Sequence, residues 1–140
     1  MKAKKRIRHA CHNEEVCKLI NANGKFPDWV ITTAFYSAIH FVSFRIFPII
    51  VENEGGHQDQ LTTLDEYHRY HGFKFSKHQA LSDLVYMRYP NISPDFDWLM
   101  DLCMTARYQN YQQVQEDATR ALKLLDTIKA ELGITNDIKD

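Results

Sequence analysis

The chain has 140 residues, 44% of them apolar, which is the size of one domain and enough to bury a core without disulfides or a structural metal. Lys and Arg total 17 against 18 Asp and Glu, so a formal charge of −1 excludes any global pull toward nucleic acid or anionic lipid. Cys11, Cys17 and Cys103 are odd in number and lack CxxC spacing, which argues against a disulfide framework and for reduced, packed thiols in a cytoplasmic protein.

The chain opens on Lys2, Lys4, Lys5, Arg6 and Arg8. Residues 1–8 read as a basic, flexible N-terminus, with a phosphate-contacting arm built on the patch Lys4, Lys5, Arg6 and Arg8 as the alternative. No apolar run follows these charges, so a secretory signal is not expected. From Arg8 to about Asn21, His12, Val16, Leu19 and Ile20 recur at helical spacing until Asn23 and Gly24 stop the helix. Pro27 and Asp28 suit the first turn of a second helix, which runs to about Arg45 with a bent continuation past Pro48 allowed. Trp29 to Val51 is long and mostly apolar, yet it holds Thr32, Thr33, Ser37, His40, Ser43, Arg45 and Pro48. An Arg alone costs about 2.5 to 3.5 kcal/mol near a bilayer centre, so a buried core helix is expected and no membrane span.

Glu52 to Gln60, with Gly55 and Gly56, reads as an exposed loop. Thr63 and Glu66 have capping-box spacing and open a short helix carrying Leu61, Leu64, His68 and His71 along one side, which Gly72 ends. Ser76 and Gln79 repeat that spacing and start a third main helix through Leu81, Leu84, Val85 and Arg88. Tyr89 to Pro94 reads as a turn. Ser93 is expected to cap, and Pro94 to open, a fourth main helix with Phe96, Leu99, Cys103 and Ala106 on one stripe and Met100, Met104 and Arg107 on its flank. Beyond Tyr111, Val114, Ala118, Ala121, Leu125, Ile128 and Leu132 form a seam that Gly133 ends, leaving 134–140 as a frayed tail. No segment alternates with period two. The expectation is an all-α, single-domain, up-and-down bundle of four to five main helices over residues 1–140.

Chemistry concentrates in the second helix. Thr32, Tyr36, His40 and Ser43 step by four, four and three and so share one stripe. Buried hydroxyls and imidazoles cost roughly 1 to 3 kcal/mol each when unsatisfied, so the stripe has to meet polar groups of the first or fourth helix or open onto a wet cleft. His12, His68, His71 and His78 could join His40 in a three-histidine metal site between helices, but no HExxH or other ligand spacing singles one out. Arg107, followed by Tyr108, needs a planar acceptor, either an internal carboxylate or an external phosphate. Nucleophile elbows, phosphate loops and dinucleotide fingerprints are absent from the sequence.

The run from Phe26 to Val42, and within it Ala34-Phe35-Tyr36-Ser37-Ala38-Ile39-His40, resembles the signature helix of the HEPN superfamily. His12-Asn13, Ser76-Lys77-His78 and Ala106-Arg107-Tyr108 are similar to other signature positions of that group in the same order, over about residues 9 to 130. The resemblance implies a helical bundle, a homodimer, and a setting of RNA-cleaving toxins, defence proteins and nucleotidyltransferase partners. Its ribonuclease members carry an Arg separated by four to six intervening residues from a His on a late helix. This sequence departs from that pattern, since no His follows Arg107, and only Arg6 and His12 have the spacing, at the wrong end of the chain.

The expected activity is therefore a noncatalytic, homodimeric, cytoplasmic binding module for RNA, a nucleotide or a protein partner, needing no metal or other cofactor. Tyr36, His40, His78 and Arg107 would form its ligand pocket, with His12, Thr32, Ser43 and Tyr108 as secondary polar groups. The alternatives are a metal-independent endoribonuclease, with His40 or His78 as acid or base and Arg107 as charge stabiliser, and a histidine metal site.

Overall fold

The periodic apolar segments fold into six α-helices and one short hairpin in a computed structural model that describes residues 2–110, 112–113 and 115–135. The helices are α1 (Lys2–Asn23), α2 (Pro27–Ile46), α3 (Leu64–Tyr70), α4 (Lys77–Arg88), α5 (Ser93–Tyr108) and α6 (Gln115–Glu131), and β1 (Ile49–Glu52) pairs antiparallel with β2 (Gln58–Leu61). No described helix is long and apolar enough to cross a membrane.

The central helix α2 packs against α1, α4, α5 and α6. Val30, Ile31, Ala34, Phe35, Ala38, Phe41 and Val42 are all buried along it, as its nearly all-round apolar sequence requires. α1 runs antiparallel beside it, because the Cys17 thiol donates to the Val30 carbonyl at 3.2 Å and Ser37 Oγ donates to the Ala10 carbonyl at 2.7 Å. Small side chains at Ala10 and Ser37 permit that close approach. The expected stripe of α5 is buried at Phe96, Leu99, Cys103 and Ala106, and so is the seam at Ala118, Ala121, Leu125, Ile128 and Leu132. Tyr111 and Val114 lie outside the described residues, as do 136–140 of the expected tail.

Local signals set the helix ends. Thr63 Oγ1 accepts from the Glu66 amide and Ser76 Oγ from the Gln79 amide, both at 3.1 Å. Gly133, at φ +67°, closes α6 in a Schellman arrangement, with the Ile134 amide donating to the Lys129 carbonyl and the Gly133 amide to the Ala130 carbonyl. Arg45 adds side-chain donors to the carbonyls of Leu132 and Gly133 at 2.7 and 3.1 Å, which places a cation on the negative end of α6.

Five expectations need correction. The basic N-terminus is helical from Lys2, since Lys, Arg and Ala are good helix formers and Ile7 anchors the segment in the core at 3% exposure. α1 buries Ile7, Ala10, Glu14 and Cys17 rather than the stripe of His12 and Leu19. His12 is exposed, because the Ala10 and Cys17 contacts fix the helix rotation and a residue two beyond Ala10 points about 200° away. Of the loop expected at 52–60, Glu52 ends β1 and residues 58–60 belong to β2, which pairs with β1. Ser93 does not cap α5 but sits inside its first turn at φ −57°, following a 3-10 turn at Pro90–Ile92. Ile134, expected to fray, is buried at 6% exposure.

Candidate functional site: a cleft between the first two helices

Antiparallel packing brings the basic start of α1 alongside the C-terminal half of α2. There α1 contributes Lys5, Arg6 and His9, and α2 contributes Ile39, His40 and Ser43. Thr63 and Leu64, at the start of α3, close the third side of a cleft of about 410 Å³. That volume falls within the usual range for small-ligand sites. Lys5, Arg6 and His9 can share it because positions i, i+1 and i+4 lie on neighbouring strips of one helix face. Lys4 and Arg8, the other members of the basic patch, are exposed and lie outside this lining.

Inside the cleft the His9 and His40 rings stack with centroids 3.9 Å apart and planes at 25°. Burial brings the His40 pKa down to about 4, aided by His9 and then Arg6, so His40 is a neutral hydrogen-bonding imidazole at neutral pH. Burial also lowers Arg6, and the Glu66 carboxylate partly opposes that shift. The Arg6 guanidinium lies 5.3 Å over the Phe47 ring and 3.5 Å from the Ser43 carbonyl. A half-buried Arg, a Lys and two imidazoles around one hollow make a cationic wall with donors suited to phosphate oxygens.

The polar stripe of α2 is legible in the fold but is satisfied differently along its length. Thr32 Oγ1 donates to the Asp28 carbonyl of its own helix at 2.8 Å, and its hydroxyl also lies within hydrogen-bonding reach of the Cys103 thiol of α5. Ser43 lines the cleft at one end of the stripe, and Thr32 lines a smaller hollow of about 320 Å³ with Asp28, Trp29, Ala106 and Arg107 at the other. Tyr36 and His40, between them, are half-buried. The hydrogen bond from α2 into α1 comes from the flanking Ser37, not from the stripe itself.

The four expected ligand residues do not make one pocket. Tyr36 and Arg107 do meet, with the guanidinium 5.5 Å above the Tyr36 ring and 5.2 Å from that of Tyr108. Among the described residues Arg107 forms no carboxylate salt bridge, and its π-face contacts take the place of the internal acceptor expected for it. His78 lies edge-on to Phe35 at 5.7 Å, lines neither hollow of the stripe, and has a buried Nδ1 with no hydrogen-bond partner. Burial, then Lys77, lowers its pKa. His68 and His71 line a separate hollow of about 230 Å³ with Tyr67, Lys74 and Asp83. No three His, Cys, Asp or Glu side chains gather to hold a metal ion among the described residues, so the helices do not assemble the three-histidine site.

Sequence reasoning missed His9 and the buried pair Glu14–Lys129. Reading residues 1–8 as a solvated arm concealed His9, although its i+3 and i+4 spacing from Arg6 and Lys5 was available. Glu14 was available too, as the third member of the Ile7, Ala10, Glu14, Cys17 series with steps of three, four and three. Comparison of the chain with family models, curated proteins and solved structures gives no match.

Proposed function

We propose that this chain is a noncatalytic binding module, HEPN-like in its helical plan, that takes a phosphate-bearing ligand of the RNA or nucleotide class in the α1–α2 cleft. The observation that carries this reading is the arrangement of Lys5, Arg6, His9 and His40 around one hollow of about 410 Å³. Arg6 and Lys5 supply charge for a phosphate, and the paired imidazoles and Ile39 supply a flat, partly apolar surface for a sugar or base. From Ser43 the polar stripe leads about 16 Å along α2 toward Thr32 and Arg107, so a short strand has a second cation to reach. Binding, rather than cleavage, is favoured because the residues that the ribonuclease alternative requires are dispersed, with the candidate acid or base His78 against Phe35 and the charge stabiliser Arg107 against Tyr36.

A short single-stranded RNA labelled at one end tests this by fluorescence anisotropy. Arg6→Ala should weaken binding at least tenfold, and log K should fall with log salt as phosphate contacts require. Wild-type affinity in Arg6→Ala would place the ligand elsewhere. Arg107→Ala should cost less, since Arg107 lies at the far end of the stripe.

A second copy of the chain is the protein partner in this reading. Exposed Phe26 and Trp29, at 52% and 53% exposure, form with Ile20 an apolar hollow where α1 ends and α2 begins. Light scattering on Trp29→Glu should give a smaller mass than wild type at the same concentration. Equal masses would remove that end from any interface.

A further inference from the structure

His9 and His40 face each other at 3.9 Å with Arg6 and Lys5 in the same cleft, and this spacing sets a limit on charge. Two imidazolium ions so close to each other and to two cations repel strongly, which favours a pair with at least one neutral ring. An anion seated in the cleft against the edges of the stacked rings reverses the balance, because it attracts a proton onto the ring that desolvation had kept bare.

We propose that the cleft is a proton-coupled anion site, in which a phosphate is bound together with one proton taken from water onto the His9–His40 pair. This rests on the reading that the cleft holds phosphate. The proton goes from solvent to an imidazole nitrogen, which then donates to a phosphate oxygen, and no covalent bond is made or broken. The direction agrees with burial, His9 and Arg6 holding His40 down to about 4 before ligand arrives.

The charged groups that line the cleft with the pair are Lys5 and Arg6 from α1, while Glu66 of α3 lies outside that lining and acts on Arg6. The Glu66 carboxylate lies close enough to act on Arg6 and accepts a hydrogen bond from the Thr62 amide. Of these groups, only the two imidazoles ordinarily change charge between pH 5.5 and 7.5.

Unphosphorylated tetrauridylate is the probe of choice, because its phosphodiesters remain singly charged and uracil does not titrate in this range. Isothermal titration at pH 5.5 and 7.5, in two buffers of different ionisation enthalpy, reads affinity and proton uptake together. If ligand returns the pair to an ordinary histidine value, binding is about tenfold tighter at pH 5.5, with uptake close to one proton. In the double variant His9→Gln/His40→Gln, the affinities at the two pH values should converge. Circular dichroism establishes that this variant is folded, and the wild-type uptake stands independently of it.

Binding by wild type with equal affinity at both pH values and no proton uptake would overturn the proposal while leaving the phosphate reading intact. A pH dependence that persists in the folded double variant would also overturn it. Absence of binding at either pH would remove the phosphate reading and this inference with it.

Discussion

Glu14 and Lys129, 4% and 6% exposed, join α1 to α6 through two contacts of 2.9 and 2.8 Å, with the ammonium 5.2 Å over the Phe41 ring. Desolvating two charges costs several kcal/mol, which a close two-oxygen geometry offsets, whereas removing one partner leaves the other charge buried. Lys129→Met should therefore destabilise the fold by about 3 to 5 kcal/mol in urea denaturation, and adding Glu14→Leu should recover most of that loss. An additive double variant would mean the pair is uncoupled. His40 supplies a second test at this scale. Its folded pKa is depressed to about 4, so the unfolded chain binds the extra proton first, and stability falls as pH drops from about 6.5 toward 4. His40→Gln should flatten that limb of the stability profile relative to wild type. The stripe of Thr32, Tyr36, His40 and Ser43 was readable in the sequence because helical spacing is a local property. The partner of Glu14 was not, since it lies 115 residues away and only the assembled core brings it close.

The helix starts at Thr63 and Ser76 were legible, because a side-chain cap is decided within four residues. Ser76→Ala should cost about 1 kcal/mol through loss of the Gln79 amide contact, and an unchanged midpoint in thermal or urea unfolding would contradict that role. The hairpin was illegible for a physical reason. β2 reads Gln58-Asp59-Gln60-Leu61 with a single buried residue, Leu61, opposite Ile49 in β1, so no alternation of period two is present to detect. Its register depends on those two side chains reaching the core, which is a tertiary condition. The face of α1 was misread for a related reason. Leu19 and His12 look like core spacing, but Leu19 is 74% exposed, and small Ala10 with buried Glu14 decides which side meets α2.

Across the whole molecule the bundle was anticipated and the site only in part. A helical bundle follows from a succession of amphipathic or apolar helices, but the rotation of each helix about its axis does not, and rotation decides which polar groups meet. It divides the expected quartet, sending His40 toward Arg6 and His9, Arg107 onto Tyr36, and His78 against Phe35. It also turns a basic segment that reads as a loose arm into one wall of a cleft. The most direct test of that arrangement is a two-dimensional NMR titration of the full chain with tetrauridylate at pH 5.5. The account predicts that the largest shift changes fall on Lys5, Arg6, His9, His40 and Ser43, whereas changes centred on the Tyr67, His71 and Asp83 hollow, or no changes at all, would contradict it.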